Sequence, residues 1–482
     1  MFLRQIADDK LAQYAYLVGC QQTKEAIVID PERDIDRYIR LAEQQGMEII
    51  AVVDTHIHAD YLSGTREFAE RGVLVYASDE GTEDWKYEWL KGSAYKHTLL
   101  KDGDTFSIGN IQFRAVHSPG HTPEHLSYLV TDLGGGANAP MGLLSGDFVF
   151  VGDLGRPDLL ESAAGVVGAM EPSARQLFDS VQRFLDLEDY LQVWPAHGAG
   201  SACGKALGAI PETTVGYEKR FNGAIQAAYR GQSEFVAAIL DGQPEPPMYF
   251  ARMKRDNKMG PPVLGDLPNP HLMSIGELSA LSGRTDVAVV DTRLNRDAFL
   301  QAHLPASLFA PFNKTFNTVV GSFVPEDTDI YLIIDEAHVN EAVRDLIRIG
   351  LDRIVAYATP DMIETVRENG GKLDCIRHMH MNDVNTLAAE DVTILDVRNA
   401  TEWEESRVPG SMNIAYPRLW VRRGEVAAGK TFAVHCRTGG RSAVSAALLK
   451  RLGHDVIFLD GEFDQWAASN TIDSGKTMEA TV

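Results

Sequence analysis

Short apolar runs alternate with polar loops along the first 200 residues or so. Residues 15–18, 25–29, 48–53, 73–76, 111–116, 126–130, 142–145 and 191–194 are rich in β-branched and aromatic side chains and predict strands. Between some of them, 34–45 and 173–185 carry apolar residues at helical spacing. Many strands with interspersed helices predict two sheets flanked by helices. A proline-rich stretch follows, with Pro244, Pro246 and Pro247, then Pro261, Pro262, Pro268 and Pro270. Proline at this density stops helix and sheet alike, which predicts a linker over 246–270 and a domain boundary near residue 265.

Beyond the prolines the pattern repeats. Val287-Ala-Val-Val-Asp-Thr-Arg is matched by Val392-Thr-Ile-Leu-Asp-Val-Arg, and His303-Leu-Pro-Ala-Ser by Arg407-Val-Pro-Gly-Ser. Ile330-Tyr-Leu-Ile-Ile-Asp then matches Thr431-Phe-Ala-Val-His-Cys. A spacing of roughly 105 residues is too long for a solenoid repeat and suits a duplicated α/β domain. Strand and helix in alternation imply a mostly parallel sheet in each copy. The 482 residues, at roughly 150 per domain, give about three domains by length alone. The expected order is a larger domain over 1–245, the linker, and two smaller domains over 271–368 and 376–472.

Composition narrows the function. Hydrophobic residues make up 44% and charged residues 23%, as in globular protein. The formal charge is −23, from 45 Lys and Arg against 68 Asp and Glu. Such a chain is a poor general binder of nucleic acid or anionic membrane. No apolar run approaches a membrane span and the N-terminus lacks a signal-peptide core, so the cytoplasm is the expected location. Four cysteines (Cys20, Cys203, Cys375 and Cys436) without a CxxC pair argue against a disulfide scaffold or a thiolate zinc site.

Ligand-type side chains gather in the first domain. The strand 48–53 runs into Asp54-Thr-His56-Ile-His58-Ala-Asp60-Tyr61. Downstream come His117-Ser-Pro-Gly-His121-Thr-Pro-Glu-His125, then Ser145-Gly-Asp147, then Trp194-Pro-Ala-His197-Gly. Imidazole and carboxylate at strand ends suit iron, zinc or manganese. This motif set resembles the metallo-β-lactamase superfamily, whose αββα sandwich holds metals at its strand ends. The superfamily usually reads HxHxDH at the first motif. Here the last position is Tyr61, which removes a principal ligand of a second metal.

A two-metal hydrolase needs both ions held close together. One His₂-carboxylate site with open positions is the arrangement of non-haem Fe(II) oxygenases. The resemblance is therefore to the persulfide dioxygenases. It implies one Fe(II) per chain at His56, His121 and Asp147, with His58, Asp60, Tyr61 and His197 around the ligands and His58 open as a further ligand. Arg156, in Gly155-Arg-Pro-Asp158, is the candidate grip for a substrate carboxylate or phosphate, or else a surface ion pair. Cys203 follows His197 in a HGAGSxCG stretch that resembles bacterial persulfide dioxygenase–rhodanese fusions. It either handles sulfur near the iron or packs as a small thiol.

The last domain carries a different chemistry. Phe432-Ala-Val-His-Cys436-Arg437-Thr-Gly-Gly-Arg441-Ser442 delivers a thiol into a glycine-rich loop before a helix. Inward N–H groups, the helix N-terminus, Arg437 and Arg441 all favour a thiolate or persulfide on Cys436. A Cys-loop phosphatase is a related reading of a thiol loop before a helix, but Asp396-Val-Arg398 and Pro409-Gly-Ser411 favour the rhodanese family, which CRTGGRS resembles. The middle domain reads Ile333-Ile-Asp335-Glu336-Ala337 at the matching place, and carboxylates there repel an anionic sulfur species. It is expected to be an inactive rhodanese homologue.

The fold class expected is thus α/β multidomain, a metallo-β-lactamase sandwich followed by two rhodanese-like domains. The expected partners are a small-molecule thiol persulfide, O₂ and thiosulfate or sulfite, with a homo-oligomer as the assembly. Two other readings fit the same motifs: a zinc-dependent thioester hydrolase of glyoxalase II type with an accessory rhodanese, and a sulfur-relay scaffold.

Overall fold

Along a strand, successive side chains point to opposite faces. In β3 (Glu25–Ile29), Ile27 and Ile29 face one core while Ala26 and Val28 face another. A strand apolar on both faces must be covered on both. It lies in a six-stranded sheet with β1 (Phe2–Asp8), β2 (Gln13–Gly19), β4 (Glu48–Val53), β5 (Leu74–Ser78) and β6 (His97–Leu100), in sequence order. A second six-stranded sheet runs β12-β11-β10-β9-β8-β7, from β7 (Thr105–Ile108), β8 (Ile111–His117), β9 (Leu126–Asp132), β10 (Gly142–Gly146), β11 (Gln192–Pro195) and β12 (Thr213–Thr214).

Val53, Ile29 and Tyr16 of the first sheet share a core with Phe113, Tyr128 and Trp194 of the second. The outer face of the first sheet packs on the helices Asp36–Gln44 and Thr65–Glu70 through Tyr38, Ala42 and Phe68. The outer face of the second packs on Met170–Leu185 through Leu177, Val181 and Phe184. The result is the four-layer αββα arrangement, with the loops after β4, β8, β10 and β11 available for a site.

This computed structural model describes all residues except 163, 164, 166, 390, 391, 428 and 475–482, and the side chains of 388 and 389. Part of the 376–472 span therefore lies outside the described residues. The chain divides into two units, Met1–Leu267 with Ile347–Gly350, and Pro268–Leu346 with Leu351–Val482. The second unit holds two five-stranded parallel sheets. One comprises β13 (His271–Leu272), β14 (Ala288–Asp291), β15 (Leu308–Phe309), β16 (Ile330–Ile333) and β17 (Ile354–Ala358), in the order β13-β17-β16-β14-β15. The other comprises β18 (Arg377–His380), β19 (Val392–Asp396), β20 (Met412–Asn413), β21 (Thr431–His435) and β22 (Asp455–Asp460), in the order β18-β22-β21-β19-β20. The repeated sequence thus folds into repeated topology.

One expectation needs correction. The stretch 246–270 is not a plain linker, because the helix Phe250–Met259 lies inside it. Its ten residues contain neither proline nor glycine. The prolines flank it, and Gly260 at φ 90° ends it in a conformation that suits glycine. Among the described residues no helix is long and apolar enough to cross a membrane.

Candidate metal centre and sulfur-carrying loop

Four ligand-type residues of the first domain sit just past a strand. His56 follows β4, His121 follows β8, Asp147 follows β10 and His197 follows β11. Gly120 shows why the loop before His121 needs glycine. Its φ is +142°, and a Cβ there would collide with Leu177 of the helix Met170–Leu185.

One ligand atom from each of His56, His121 and Asp147 lies within 4.8 Å of the others, and all three residues are buried. Asp147 is the hub. Its Oδ2 is 3.4 Å from His121 Nε2 and 3.9 Å from His56 Nε2, while its Oδ1 is 3.5 Å from His197 Nε2. A second group, Asp60, His197 and Cys203, meets the same 4.8 Å limit. His197 Nε2 is 3.1 Å from Asp60 Oδ2.

The other ring nitrogens are tied down. His121 Nδ1 lies 3.1 Å from the Arg156 carbonyl, and His197 Nδ1 lies 3.1 Å from that of Ala12. His56 Nδ1 is 3.0 Å from Thr55 Oγ1, which itself donates to Asp30. With its proton spent on Asp30, that hydroxyl accepts from His56. In His56 and His121 the tied Nδ1 carries the proton and Nε2 presents a lone pair, as in metal-binding histidine, whereas the carboxylates of Asp147 and Asp60 outweigh burial and raise His197 well above the usual histidine range. Burial and the neighbouring imidazoles hold His56 well below the usual histidine range.

A metal fits these residues. His56 Nε2, His197 Nε2 and both carboxylate oxygens of Asp147 and of Asp60 are buried without a hydrogen-bond partner. Buried polar atoms are normally paired, and six orphans converging on one place are what an ion satisfies.

His58 is turned to a different task. Its Nε2 is 3.1 Å from Asp30 Oδ1 and 3.0 Å from the Tyr61 hydroxyl. Burial pulls the ring down, but Asp30, Asp54 and Asp60 outweigh it and lift His58 to about 9. Its Nδ1 has no partner. Tyr61, fully buried, donates to the Asp30 carbonyl at 3.1 Å and packs its ring on His58 with centroids 4.4 Å apart and planes tilted by 33°. The phenol is thus engaged away from the Asp60–His197 pair.

Arg156 is not a free grip. It is buried, with Nε and Nη2 on Asp158 at 2.7 and 2.6 Å and Nη1 on the Ala202 carbonyl at 3.1 Å. A substrate anion would compete with that bidentate pair. What the guanidinium does here is hold the loop carrying Cys203. Cys203 is buried, and burial, with Asp60 and Asp147 nearby, pushes its thiol up.

Three further residues support the site: His125 and Glu124, both in the 117–125 stretch but not assigned a role from sequence, and Asn257, which lies outside every motif. His125 Nε2 accepts the Asp147 N–H at 3.0 Å and so positions the hub. Glu124 accepts the Ile57 N–H at 2.8 Å, and burial lifts its carboxyl to about 7. Asn257, on the unexpected helix Phe250–Met259, donates to the carbonyls of His58 and Tyr61 at 2.9 and 2.7 Å and accepts the Ser63 N–H at 2.8 Å. Its signal was a buried polar residue in a segment dismissed for its prolines.

In the second unit Cys436 follows β21, and the helix Gly440–Arg451 begins four residues later. Cys436 Sγ accepts the Gly439 N–H at 3.1 Å and lies 3.4 Å from Ser442 Oγ. The two arginines are less free than their positions in sequence suggest. Arg441 pairs with Glu402 at 2.5 and 2.9 Å, and exposed Arg437 pairs with Asp464 at 2.7 Å. At the matching place of the other sheet, a short turn Glu336–His338 replaces the thiol loop. Cys375 is exposed and Cys20 is buried.

Comparison with known proteins fits this division. The metallo-beta-lactamase superfamily model matches residues 8–197, and the rhodanese-like domain model matches 382–469. A solved metallo-beta-lactamase from Staphylococcus aureus is 38% identical, with a TM-score of 0.66, over 75% of this chain and 99% of that one. The chain belongs to the metallo-beta-lactamase superfamily. Its superfamily domain also has persulfide dioxygenase homologues. Persulfide dioxygenase ETHE1 of Bos taurus is 26% identical over 203 residues, 41% of this chain and 68% of that protein. A beta-lactamase hydrolase-like protein of Xylella fastidiosa is 30% identical over 240 residues, 45% of this chain, and the match spans half of that protein's length. The chain thus joins a metallo-beta-lactamase domain with persulfide dioxygenase homologues to a C-terminal rhodanese-like domain, which is the make-up of a dioxygenase–rhodanese fusion.

Proposed function

We propose that the chain is an iron-dependent persulfide dioxygenase fused to a rhodanese sulfurtransferase, acting in sulfide oxidation in the cytoplasm. The observation that carries this is the buried His56, His121 and Asp147 group beside Tyr61. Two imidazoles and one carboxylate suit Fe(II) with open positions. Tyr61, where the superfamily usually has histidine, supports one iron per chain rather than a metal pair.

Fe(II), when bound, would supply O₂ activation beside a thiolate-type substrate. The chain's own residues do the rest. His56, His121 and Asp147 would hold the ion, with Thr55 on His56 Nδ1, the Arg156 carbonyl on His121 Nδ1 and His125 on the backbone N–H of Asp147. Burial of the whole group keeps bulk water from the sulfur. In the overall reaction a persulfide, O₂ and water give thiol and sulfite. The sulfane sulfur is oxidised, dioxygen is reduced, and the S–S bond breaks. In the rhodanese domain the Cys436 thiolate attacks the sulfane sulfur of thiosulfate. The thiosulfate S–S bond breaks, sulfite leaves, and Cys436 keeps the sulfur as a persulfide for a thiol acceptor. The Gly439 N–H and Ser442 hydroxyl stabilise the anionic sulfur.

Oxygen uptake by iron-loaded protein with glutathione persulfide or coenzyme A persulfide tests the first activity, with sulfite as the expected product. Metal analysis is expected to give one iron per chain. Two zinc ions and thioester hydrolysis without oxygen uptake would overturn the reading in favour of a glyoxalase II-like hydrolase.

A further inference from the structure

The thiol-less middle domain reaches into the sulfur-carrying loop. Arg296 opens the short helix Arg296–Gln301 of that domain. Its Nη2 is 3.0 Å from Asp460 Oδ1 at the end of β22, and its guanidinium lies 5.0 Å from the Phe458 ring centroid. Its Nη1 donates to the Thr438 carbonyl at 3.4 Å. That carbonyl belongs to the peptide whose N–H, on Gly439, donates to Cys436 Sγ.

A peptide is planar, so fixing its C=O fixes the direction of its N–H. Gly439 lies directly against Arg296. Its φ is 92°, and a Cβ there would collide with Arg296 Nη1 and would also meet Phe458 at 3.2 Å. The glycine thus serves the turn and admits the arginine.

The far end of the same helix is held by the same domain. Arg451, the last residue of Gly440–Arg451, donates to the carbonyls of Ala306, Thr285 and Val287 at 2.6–2.8 Å and to that of Arg284 at 3.4 Å. The helix whose N-terminus faces Cys436 is therefore pinned at both ends by the domain that lacks a thiol. Asp460 balances the Arg296 charge, so the arginine acts through the position of the 438–439 peptide rather than through its field. The other charged or titratable groups near the sulfur are Arg441, paired with Glu402, Arg437, paired with Asp464, and His435, which burial holds below the usual histidine range.

We propose that Arg296 is a positioning residue for the Cys436 loop, which makes the middle domain a working part of the sulfur-transfer site. The proposal rests on the rhodanese reading of Cys436. It is tested on the full chain by peptide-resolved alkylation of Cys436 with iodoacetamide across pH, beside thiosulfate sulfurtransferase kinetics. Arg296→Ala is expected to move the alkylation midpoint up by about one pH unit and to lower kcat about tenfold. Arg296→Lys, which keeps one donor and the charge, recovers part of both. Arg451→Ala, which loosens domain docking without touching the loop, is expected to lower Tm and leave the alkylation midpoint in place.

An unchanged midpoint in Arg296→Ala overturns the proposal. So does an equal midpoint shift in Arg451→Ala, since the contact is then general docking. Wild-type protein that forms no Cys436 persulfide from thiosulfate refutes the rhodanese reading instead, and the alkylation profile still decides the role of Arg296.

Discussion

Glu402 illustrates how a single residue can stabilise a reactive loop without touching its thiol. Burial raises its carboxyl, but the two bonds from Arg441 outweigh that and hold it below the ordinary glutamate value. A group depressed in the folded state stabilises above its unfolded value, about 4.3. That stability is lost as pH falls through the depressed folded value. Glu402→Gln is therefore expected to cost about 1 kcal/mol or less at neutral pH and nothing in strong acid. Urea denaturation at both pH values checks this, and an equal deficit at both would count against the pair. The sequence marked Arg441 as a cation for sulfur. Its partner, 39 residues away, is a tertiary fact, so the neutralisation of that cation was not legible. Arg156 is the same lesson, because its Asp158 partner stands two positions away in sequence yet only folding shows the pair buried.

At the scale of elements, strand ends carry the chemistry and a misjudged helix supports it. The loops after β4, β8, β10 and β11 were legible because buried strands read as apolar runs and their ligands follow at once. The edge strands were less legible: β1 and β6 alternate weakly, and β7 alternates over only four residues. The helix Phe250–Met259 is masked in sequence by the prolines on either side, which bound it without interrupting it. Asn257 on this helix makes three hydrogen bonds to the loop of His58, Tyr61 and Ser63. Asn257→Ala leaves those backbone groups buried and unpaired, at a cost of about 3 kcal/mol. A fall in Tm and a loss of metal affinity of at least about tenfold are the expected readouts. Metal affinity equal to wild type would show that the helix does not brace the site.

For the whole molecule, the proposed function puts its two activities in different units, which experiment can separate. Removing metal with a chelator is expected to abolish oxygen uptake and spare thiosulfate sulfurtransferase activity. Cys436→Ser is expected to do the reverse. Loss of both activities in either case would contradict independent sites. The charge of −23 makes the local pairing of Arg156, Arg296, Arg437 and Arg441 with carboxylates easy to understand, since acidic partners are everywhere available.

The sequence by itself determined the layers, the duplicated sheet and the residues that carry reactive atoms. Those follow from apolar periodicity and from side-chain chemistry, both local properties of the chain. Tertiary structure alone decided which atoms are free. It tied the Nδ1 atoms of His56, His121 and His197 to protein partners and turned their Nε2 atoms to the Asp147 carboxylate. It spent Arg156 on Asp158, turned Tyr61 toward Asp30, and brought Arg296 from an apparently idle domain to the peptide that cradles Cys436. Those outcomes depend on distances between residues far apart in sequence, and no local pattern encodes them.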